Sequence, residues 1–554
     1  MGRPGLPPQL ARLPVLVIAG LVLALAMLIP AAHAEAVGER RLALVFAGSA
    51  AGQLVLWLML GIATSARPAA TDRAAASVSR GVLGTLLGVY ALLPLAAAVP
   101  LAEALPDTGL FNAWWEMLSC LTTTGASLYA AELVAPTLHL WRGIVGWLGG
   151  LFILTAAIAL MAPMRVGGFE IMDRSTGTNQ RFDGIAAPAA APLASRDHTG
   201  HPDAPAGRLI RWGLVIAPAY AGLTAALWAG LVILGQGALG ALLRAMGTLS
   251  TSGIGLDAHP VGSTGNVGAE VLVALFLLAA LSRRVWPGGD ELRTTDRLRH
   301  DTELRVAAGL LALVTLTLVL RPFLGAFLAE LQPVLPPEPA APDLGGGLAR
   351  AAAAAWGSLF TALSFLTTTG WTSIHWEGAR AWAGLTAPGL MLAGLAIMGG
   401  GVATTAGGVK LLRVFALALH ARRELDRIVN PASVAGGGPA IRRLRGPGAY
   451  LAFIFFMVFA LSIMATIALV SLRAVTLETA TILSVAALTN TGPLAEAIPL
   501  IPVYEGSVGI AGSPWQGWAG LAPATKAVLA AAMVAGRLEM LAILALLTPG
   551  AWRR

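Results

Sequence analysis

Four short stretches of this chain join hydroxyl side chains to a glycine, and we call them the signature loops. Residues 122–126 read TTTGA, and the later copies read STSGI, TTTGW and TNTGP at 250–254, 367–371 and 489–493. They contain no His, Cys or acid, so they offer hydroxyl and backbone carbonyl oxygens but no general base. One copy alone predicts only a helix cap or a turn. Four copies that recur about every 120 residues instead predict a tandem array.

The elements around these loops are predicted to be membrane helices. The chain has 554 residues, of which 56% are hydrophobic and 12% charged, with a mean hydropathy of +0.74. A soluble protein carries about 25% charged residues. A membrane span needs roughly 20 apolar residues, and the sequence predicts ten spans: 13–32, 42–64, 81–104, 140–163, 209–234, 266–282, 304–328, 383–412, 448–472 and 523–548. The single cysteine, Cys120, excludes an internal disulfide.

A shorter apolar segment of about a dozen residues precedes each signature loop, at 110–121, 238–249, 355–366 and 477–488. Such a helix is about 18 Å long, so it enters a membrane without crossing it. Non-helical backbone survives inside a membrane where it lines a water-filled cavity, so four such loops predict a pseudo-fourfold arrangement around one axis. The half-helices then direct their negative dipole ends toward the axis. A ring of carbonyls there replaces the hydration shell of a monovalent cation.

The predicted fold is therefore an all-α polytopic membrane protein with four repeats of span, half-helix, loop and span. The expected repeats are 81–180, 208–290, 303–425 and 447–554, preceded by a two-helix hairpin within 1–80. The segment 13–32 also has features of a signal peptide, namely basic residues before it and Ala-His-Ala after it. A span is favoured, because the apolar run is long and a second span follows at once.

Arginine is concentrated in alternate connections between the predicted spans. Under the positive-inside rule the loops 165–207, 283–303 and 413–446, with both termini, are expected to be cytoplasmic. The net charge of +8 then reflects topology rather than a nucleic acid-binding face. His198, His201 and Asp203 have ligand-like spacing in one of these loops, and a solvated loop is the favoured interpretation.

A glycine-rich loop, residues 399–408, interrupts the predicted span 383–412. Each Gly costs about 1 kcal/mol relative to Ala in a helix interior, so the helix is expected to break there. A phosphate-binding loop would need Gly-Lys-Ser/Thr, whereas here Val409 separates Gly408 from Lys410.

Arg537 follows Lys526 in the last predicted span and should lie about 16 Å deeper in the membrane. A charge near the bilayer centre faces a polar interior and has a partner. Glu539 points elsewhere around the helix, so the exposed carbonyls of the glycine-rich loop are the favoured partner. A structural Arg that pairs two helices is the alternative.

These stretches resemble the Trk/Ktr/HKT superfamily of potassium transporters. The resemblance rests on the signature loops, WRGIVGWLGG at 141–150, GGGVATTAGGVKLLR at 399–413 and KAVLAAAMVAGRLEMLAILALLTPGAW at 526–552. With its extra N-terminal hairpin the chain is most similar to the bacterial Trk-type subunits. The resemblance implies a potassium-channel-like pore within one chain, a homodimer in the bacterial inner membrane, and a cytosolic nucleotide-binding regulatory subunit of the TrkA type.

The resemblance also implies which residues carry function. It places a potassium filter at Thr123, Thr124, Gly125, Thr251, Ser252, Gly253, Thr368, Thr369, Gly370, Asn490, Thr491 and Gly492. It places an intramembrane gate at Gly399, Gly400, Gly401, Thr404, Thr405, Gly407, Gly408, Lys410 and Arg537. K⁺ is then the substrate ion, no bound cofactor is expected, and nucleotide acts only through the partner.

Two features depart from the family pattern, and the position of Arg244 is left open. The fourth loop continues as Pro493-Leu494-Ala495, where the family often has Pro-Gly-Leu-Gly, and Trp371 follows the third glycine. Arg244, on the second half-helix, either binds loop carbonyls or lies in the outer vestibule.

Two other function classes are alternatives to potassium uptake. A polytopic membrane enzyme should place His or acid pairs near the membrane interface, which we do not find in the sequence. A sodium-permeable or cation-coupled secondary transporter more often has two inverted repeats, whereas these four units share one orientation. The sequence does not decide whether K⁺ is preferred over Na⁺, or whether transport is a symport with H⁺ or Na⁺.

Overall fold

The computed structural model describes residues 13–65, 75–129, 131, 134–162, 168–169, 205–256, 261, 266–287, 301–331, 347–385, 388–430, 447–472, 475–500 and 517–538. Within these ranges the chain forms helices and loops and no β-strand, so the all-helical prediction is confirmed. His198, His201, Asp203 and Glu539 lie outside the described residues.

Seven helices in the described ranges are long and apolar enough to cross a membrane. They are α1 with α2 (Val15–Ala26 and Leu28–Val37), α3 (Arg40–Ser65), α4 (Ala75–Ala104), α6 (Pro136–Ala156, continued by a π-helical turn at Ala157–Met161), α7 (Pro205–Ile233), α10 (Thr302–Leu331) and α15 (Pro447–Ser471). Many of their apolar side chains are exposed, for example Leu313 at 62% and Leu461 at 69%. Such surfaces suit contact with lipid.

Four half-helices precede the signature loops, as the sequence predicts. They are α5 (Gly109–Leu121), α8 (Ala238–Leu249), α11 (Gly347–Leu366) and α16 (Leu477–Thr489). The third is longer than the expected 355–366 segment. The run ARAAAAA at 349–355 explains the difference, because alanine has the highest helix propensity.

The second spans of the later repeats are shorter or broken. The second repeat has α9 (Val267–Leu277), extended by a 3₁₀ turn at Leu278–Ala280, and the fourth has α17 (Pro523–Leu538). In the third, the short α12 (Trp376–Trp382) is followed by α13 (Gly389–Met398) and α14 (Leu411–Val429). The glycine-rich loop lies between α13 and α14, so the predicted helix break is confirmed.

The hydrophobic interior consists of two main clusters. The larger cluster is built around the half-helices α8, α11 and α16. The other packs the N-terminal hairpin against α4, α5 and α6 of the first repeat. The signature loops therefore lie at the centre of the helical assembly, and the hairpin extends the wall of one repeat.

Candidate ion pathway

All four half-helices end in the same backbone hydrogen-bond pattern. In the first loop the N–H of Thr123 donates to the carbonyl of Cys120, and the N–H of Thr124 donates to that of Ser119, both at 2.9 Å. This is the pair of bonds that defines a Schellman motif. The same pair recurs in the other three loops, where the third-position N–H distances are 2.9 Å for Ser252, 2.9 Å for Thr369 and 2.8 Å for Thr491.

The second residue of every signature loop has a left-handed backbone. The φ angles are 55° at Thr123, 54° at Thr251, 58° at Thr368 and 55° at Asn490. Glycine usually takes this position of a Schellman motif, and a β-branched residue there is a genuine outlier. A strained residue of this kind costs of order 1–3 kcal/mol and is typical of functional sites.

A pair of hydroxyl groups stiffens each loop. The side-chain oxygens of the first and third loop residues are 2.8, 2.9, 3.1 and 3.1 Å apart in loops one to four. The first three residues of each loop therefore share one hydrogen-bonded turn, whereas the glycine has a positive φ in the first three loops and not in the fourth.

The loops contact one another in cyclic order through their glycines. A Cβ added at Gly125 would lie 1.8 Å from the Ser252 carbonyl oxygen, and one at Gly253 would lie 2.2 Å from that of Thr369. One at Gly370 would lie 2.7 Å from Pro493, and one at Gly492 would lie 2.3 Å from the nitrogen of Ala126 in the first loop. The four loops therefore form a closed ring.

The fourth loop fits the ring differently from the other three. Pro493 lies against Gly370, at the place where a neighbouring carbonyl packs in the first two contacts. The Gly492 N–H donates to the carbonyl of Thr124 at 2.6 Å. Asn490 Nδ2 donates to Thr124 Oγ1 and to the Met533 carbonyl, both at 3.0 Å. Pro493 thus makes the contact of the fourth loop with the third, whereas Asn490 and Gly492 form the seam between the fourth and first loops.

Two buried carboxylates fix the segments that leave the first and third loops. Neither role is predicted from the sequence. Glu116, which is fully buried, accepts from Arg142 Nε at 2.7 Å and from the Leu128 N–H at 2.8 Å. Glu270, also fully buried, accepts hydrogen bonds from Trp356 Nε1 (2.7 Å), Ser373 Oγ (2.8 Å) and the Ile374 N–H (2.7 Å). A buried charge needs such partners. The available signal was an acid within an apolar helix, which is rare and expensive in membranes.

Arg244 binds a carbonyl in the segment that follows the second signature loop. Its Nη1 donates to the carbonyl of Val261 at 2.8 Å, and its guanidinium lies over the ring of Trp371 at 5.7 Å. Trp371 in turn donates from Nε1 to Thr248 Oγ1 at 3.2 Å. The unusual Trp after the third glycine therefore joins the second and third repeats.

The glycine-rich loop contacts three of the four half-helix and signature-loop units. Thr405 Oγ1 donates to the carbonyl of Leu249 at 3.1 Å, and the Gly407 N–H donates to Thr368 Oγ1 at 2.8 Å. A Cβ on Gly407 would lie 2.0 Å from the carbonyl of Thr489. The loop thus packs directly against the residues where the signature loops begin.

The two ends of the glycine-rich loop lie side by side. The Val409 N–H donates to the Ile397 carbonyl at 2.8 Å, and the Leu411 N–H donates to the Gly400 carbonyl at 3.0 Å. Gly399 and Gly408 have φ angles of 70° and 74°, and a Cβ on Gly399 would lie 2.3 Å from the Gly407 carbonyl. Glycine is therefore required where the two ends meet.

Arg537 is 5% exposed and donates from Nη1 to the Thr405 carbonyl at 2.7 Å. Its Nε and Nη2 have no hydrogen-bond partner among the described residues. Beside it is a cavity of about 30 Å³, lined by Arg537, Lys410, the end of α6 and much of the glycine-rich loop. Lys410 Nζ donates to the carbonyl of Ala406. Two basic residues therefore line a space large enough for water.

Lys526 joins the last described helix to the first half-helix. Its Nζ donates to Asn112 Oδ1 at 3.2 Å, and its carbonyl accepts from Trp115 Nε1 at 2.8 Å. Across the described ranges, no three His, Cys, Asp or Glu side chains form a metal-binding group. The oxygens at the ring are carbonyls and hydroxyls.

Comparisons with known proteins agree with the resemblance seen in the sequence. No family model matches the chain. It is 25% identical over 479 residues to the Trk system potassium uptake protein TrkH of Salmonella typhimurium, covering 85% of this chain and 84% of that protein. It is 27% identical over 481 residues to TrkI of Halomonas elongata, with coverages of 83% and 81%.

A solved structure has the same fold. The crystal structure of the potassium transporter TrkH from Vibrio parahaemolyticus matches with a TM-score of 0.69 at 20% sequence identity, over 98% of this chain and 99% of that one. The named relatives are transport proteins and not enzymes. The resemblance to the Trk family is therefore confirmed: the chain is similar over most of its length to Trk system potassium uptake proteins and has the fold of TrkH.

Proposed function

We propose that this chain takes up potassium across a bacterial inner membrane through a pore at the centre of the four signature loops. The single observation that carries the proposal is the closed ring, in which four loops that begin with the same backbone turn meet through their glycines. Carbonyl rings replace the hydration shell of K⁺. The half-helices add four C-terminal dipole ends directed at the ring, which favour a cation. None of the four loops contains a carboxylate, which a divalent ion would require.

The glycine-rich loop is the proposed gate. It packs against the signature loops, and its Thr405 carbonyl is held by Arg537. A cation beside the pathway repels K⁺, and the loop itself occupies the space next to the ring. The predicted filter residues line the proposed pore, and the predicted gate residues form the proposed gate. Coordination of an ion by the Thr124 carbonyl competes with its hydrogen bond from Gly492, so the fourth loop adjusts when an ion binds.

The assembly is proposed from the family resemblance. Two copies of the chain form a homodimer with both termini in the cytoplasm, and a TrkA-like nucleotide-binding subunit docks on the arginine-rich inner face. The subunit opens the gate by moving the cytoplasmic ends of the helices next to the glycine-rich loop.

Ion flux into liposomes tests the proposal. The purified chain is reconstituted, and uptake of K⁺, Rb⁺ and Na⁺ is measured under defined gradients. We expect K⁺ and Rb⁺ to be favoured over Na⁺. Equal K⁺ and Na⁺ flux would support the sodium-permeable alternative, and uptake that needs an opposing or accompanying Na⁺ or H⁺ gradient would support a coupled transporter.

A further inference from the structure

A second charged residue contacts the glycine-rich loop, and it comes from a helix that the gate assignment did not include. Glu303 lies in the first turn of α10 and is 2% exposed. Its Oε1 accepts a hydrogen bond from the N–H of Val402 at 2.7 Å. A buried backbone N–H needs an acceptor of this kind. Glu303 therefore fixes the loop three residues before the carbonyl that Arg537 holds.

The adjacent N–H of the loop is also fixed. Gly401 donates to the carbonyl of Ala280 at 2.9 Å, and a Cβ on Gly401 would lie 2.4 Å from the Leu281 carbonyl. The first half of the glycine-rich loop is thus held between the end of the second repeat and the beginning of the third.

Glu303 belongs to a charged cluster at that junction. Its Oε2 has no hydrogen-bond partner among the described residues, and the carboxyl group is near enough to Arg283 and Lys410 for attraction and to Asp301 for repulsion. Asp301 accepts from the Glu303 N–H at 3.1 Å and from Ser282 Oγ at 2.6 Å, and it pairs with Arg284 at 3.5 Å. The cluster connects the cytoplasmic ends of two repeats to Val402.

We propose that Glu303 is a positioning residue of the gate, whose carboxylate holds the glycine-rich loop against the signature loops through the Val402 N–H. Arg537 holds the same loop through the Thr405 carbonyl, so the loop has one acidic and one basic anchor. Movement of Ser282 and Asp301 relative to the loop is transmitted to Val402 through Glu303. This inference rests on the proposed function, because it assumes that ions pass the loop.

The first test is basal Rb⁺ uptake by the full chain in liposomes without a regulatory subunit. Glu303→Ala removes the acceptor and should raise uptake about tenfold. Glu303→Asp keeps the charge but shortens the side chain by one methylene, so it should also raise uptake. Glu303→Gln retains an acceptor oxygen and should raise it less than either. Glu424→Ala, which removes an exposed partner of Arg427, is the matched control and should leave uptake unchanged.

The second test measures exposure of the loop itself. Thr404 is 3% exposed and donates to the Gly401 carbonyl at 2.7 Å. In a Thr404→Cys background, a water-soluble thiol reagent should react faster when Glu303→Ala or Glu303→Asp is added. The native Cys120 is fully buried and should give little background.

The outcomes separate this inference from the proposed function. If Glu303→Asp folds normally but changes neither uptake nor the labelling rate, Glu303 does not position the gate. A rise with Glu303→Gln as large as with Glu303→Ala, and none with Glu303→Asp, would also overturn it, since charge alone would then be responsible. If neither the unmodified chain nor Arg537→Ala passes any monovalent cation, the proposed pore itself fails.

Discussion

At the fourth position of each signature loop, a side chain has no room. Gly125 has a φ of 72°, and its added Cβ would lie 1.8 Å from the Ser252 carbonyl oxygen. The left-handed Thr123 two residues earlier is held against its own preference. Residue types at the ring are therefore set by backbone geometry, and in the proposed pore that geometry determines which oxygens face an ion.

Gly125→Ser should lower the K⁺/Na⁺ permeability ratio by about tenfold, which corresponds to about 1.4 kcal/mol. The new side chain must displace the Ser252 carbonyl and so disturb the oxygen ring. The measurement is Rb⁺ against Na⁺ uptake into liposomes. Gly84→Ser is the control, because Gly84 is exposed and has nothing within 4 Å of an added Cβ. An unchanged ratio in Gly125→Ser would show that this loop does not select ions.

Arg537→Ala should raise basal K⁺ uptake without a regulatory subunit and leave selectivity unchanged. The variant removes both the charge beside the pathway and the anchor on Thr405. A hydrogen bond from a charged group contributes about 1.5–3 kcal/mol, so an increase of roughly 10-fold to 100-fold is expected. Arg427→Ala, at an exposed ion pair, is the control. Normal folding with unchanged or lost uptake would place the gate elsewhere.

At the scale of elements, the glycine-rich loop and Arg537 should act as one unit. Shortening residues 399–408 should also raise basal uptake. Combined with Arg537→Ala, it should add little, because residues that share one contact are not additive. A double variant whose uptake is the product of the two single effects would show that the loop and the arginine act separately.

Glycines on the second spans let these helices contact the ends of the half-helices. A Cβ on Gly149 would lie 2.1 Å from the Leu121 carbonyl, and one on Gly536 would lie 2.0 Å from that of Leu488. The same contact occurs in the first repeat, where Gly149 lies on α6, and in the fourth, where Gly536 lies on α17. The contact fixes how deep each half-helix lies relative to its span.

Gly536→Ala should therefore lower the thermal unfolding temperature measured in detergent. Overpacking costs typically 1–3 kcal/mol, which exceeds the gain of about 1 kcal/mol in helix propensity. Gly222→Ala in α7 is the control, since an added Cβ there has nothing within 4 Å and only the propensity gain applies. Equal shifts in the two variants would contradict the close contact.

The sequence predicts these elements well and their contacts poorly. Hydrophobic runs and the recurring Ser/Thr-Gly pattern predict seven of the ten expected spans, three of the four half-helix lengths and the break at 399–408. Within the described residues, the expected spans 266–282, 383–412 and 523–548 are not long unbroken apolar helices. The roles of Glu116, Glu270 and Glu303 are not predicted, because their partners are backbone N–H groups or side chains on other segments. Val402, for example, is 99 residues from Glu303. No local periodicity encodes such a distance.

At the scale of the whole molecule, the arginine-rich connections predict the orientation in the membrane. Glu377 and Arg427 are expected on opposite sides, and their side chains are 73% and 52% exposed. With a membrane-impermeant maleimide on intact cells, Glu377→Cys should be labelled, whereas Arg427→Cys should be labelled only after permeabilisation. The buried Cys120 serves as the unlabelled background. Labelling of Arg427→Cys but not of Glu377→Cys in intact cells would show that the proposed topology is the wrong way round.

The seam between the fourth and first loops also determines when the ring can be completed during synthesis. Gly492 donates to Thr124, and Asn490 donates to both Thr124 and Met533. At 5–20 residues per second, a ribosome needs roughly 20–70 s to travel from the first of these loops to the last. Until the fourth loop is made, the ring is open on one side and Thr124 lacks its hydrogen bonds with Asn490 and Gly492. The ring is closed by the final repeat, so an incomplete translation product lacks the ring that the proposed pathway requires.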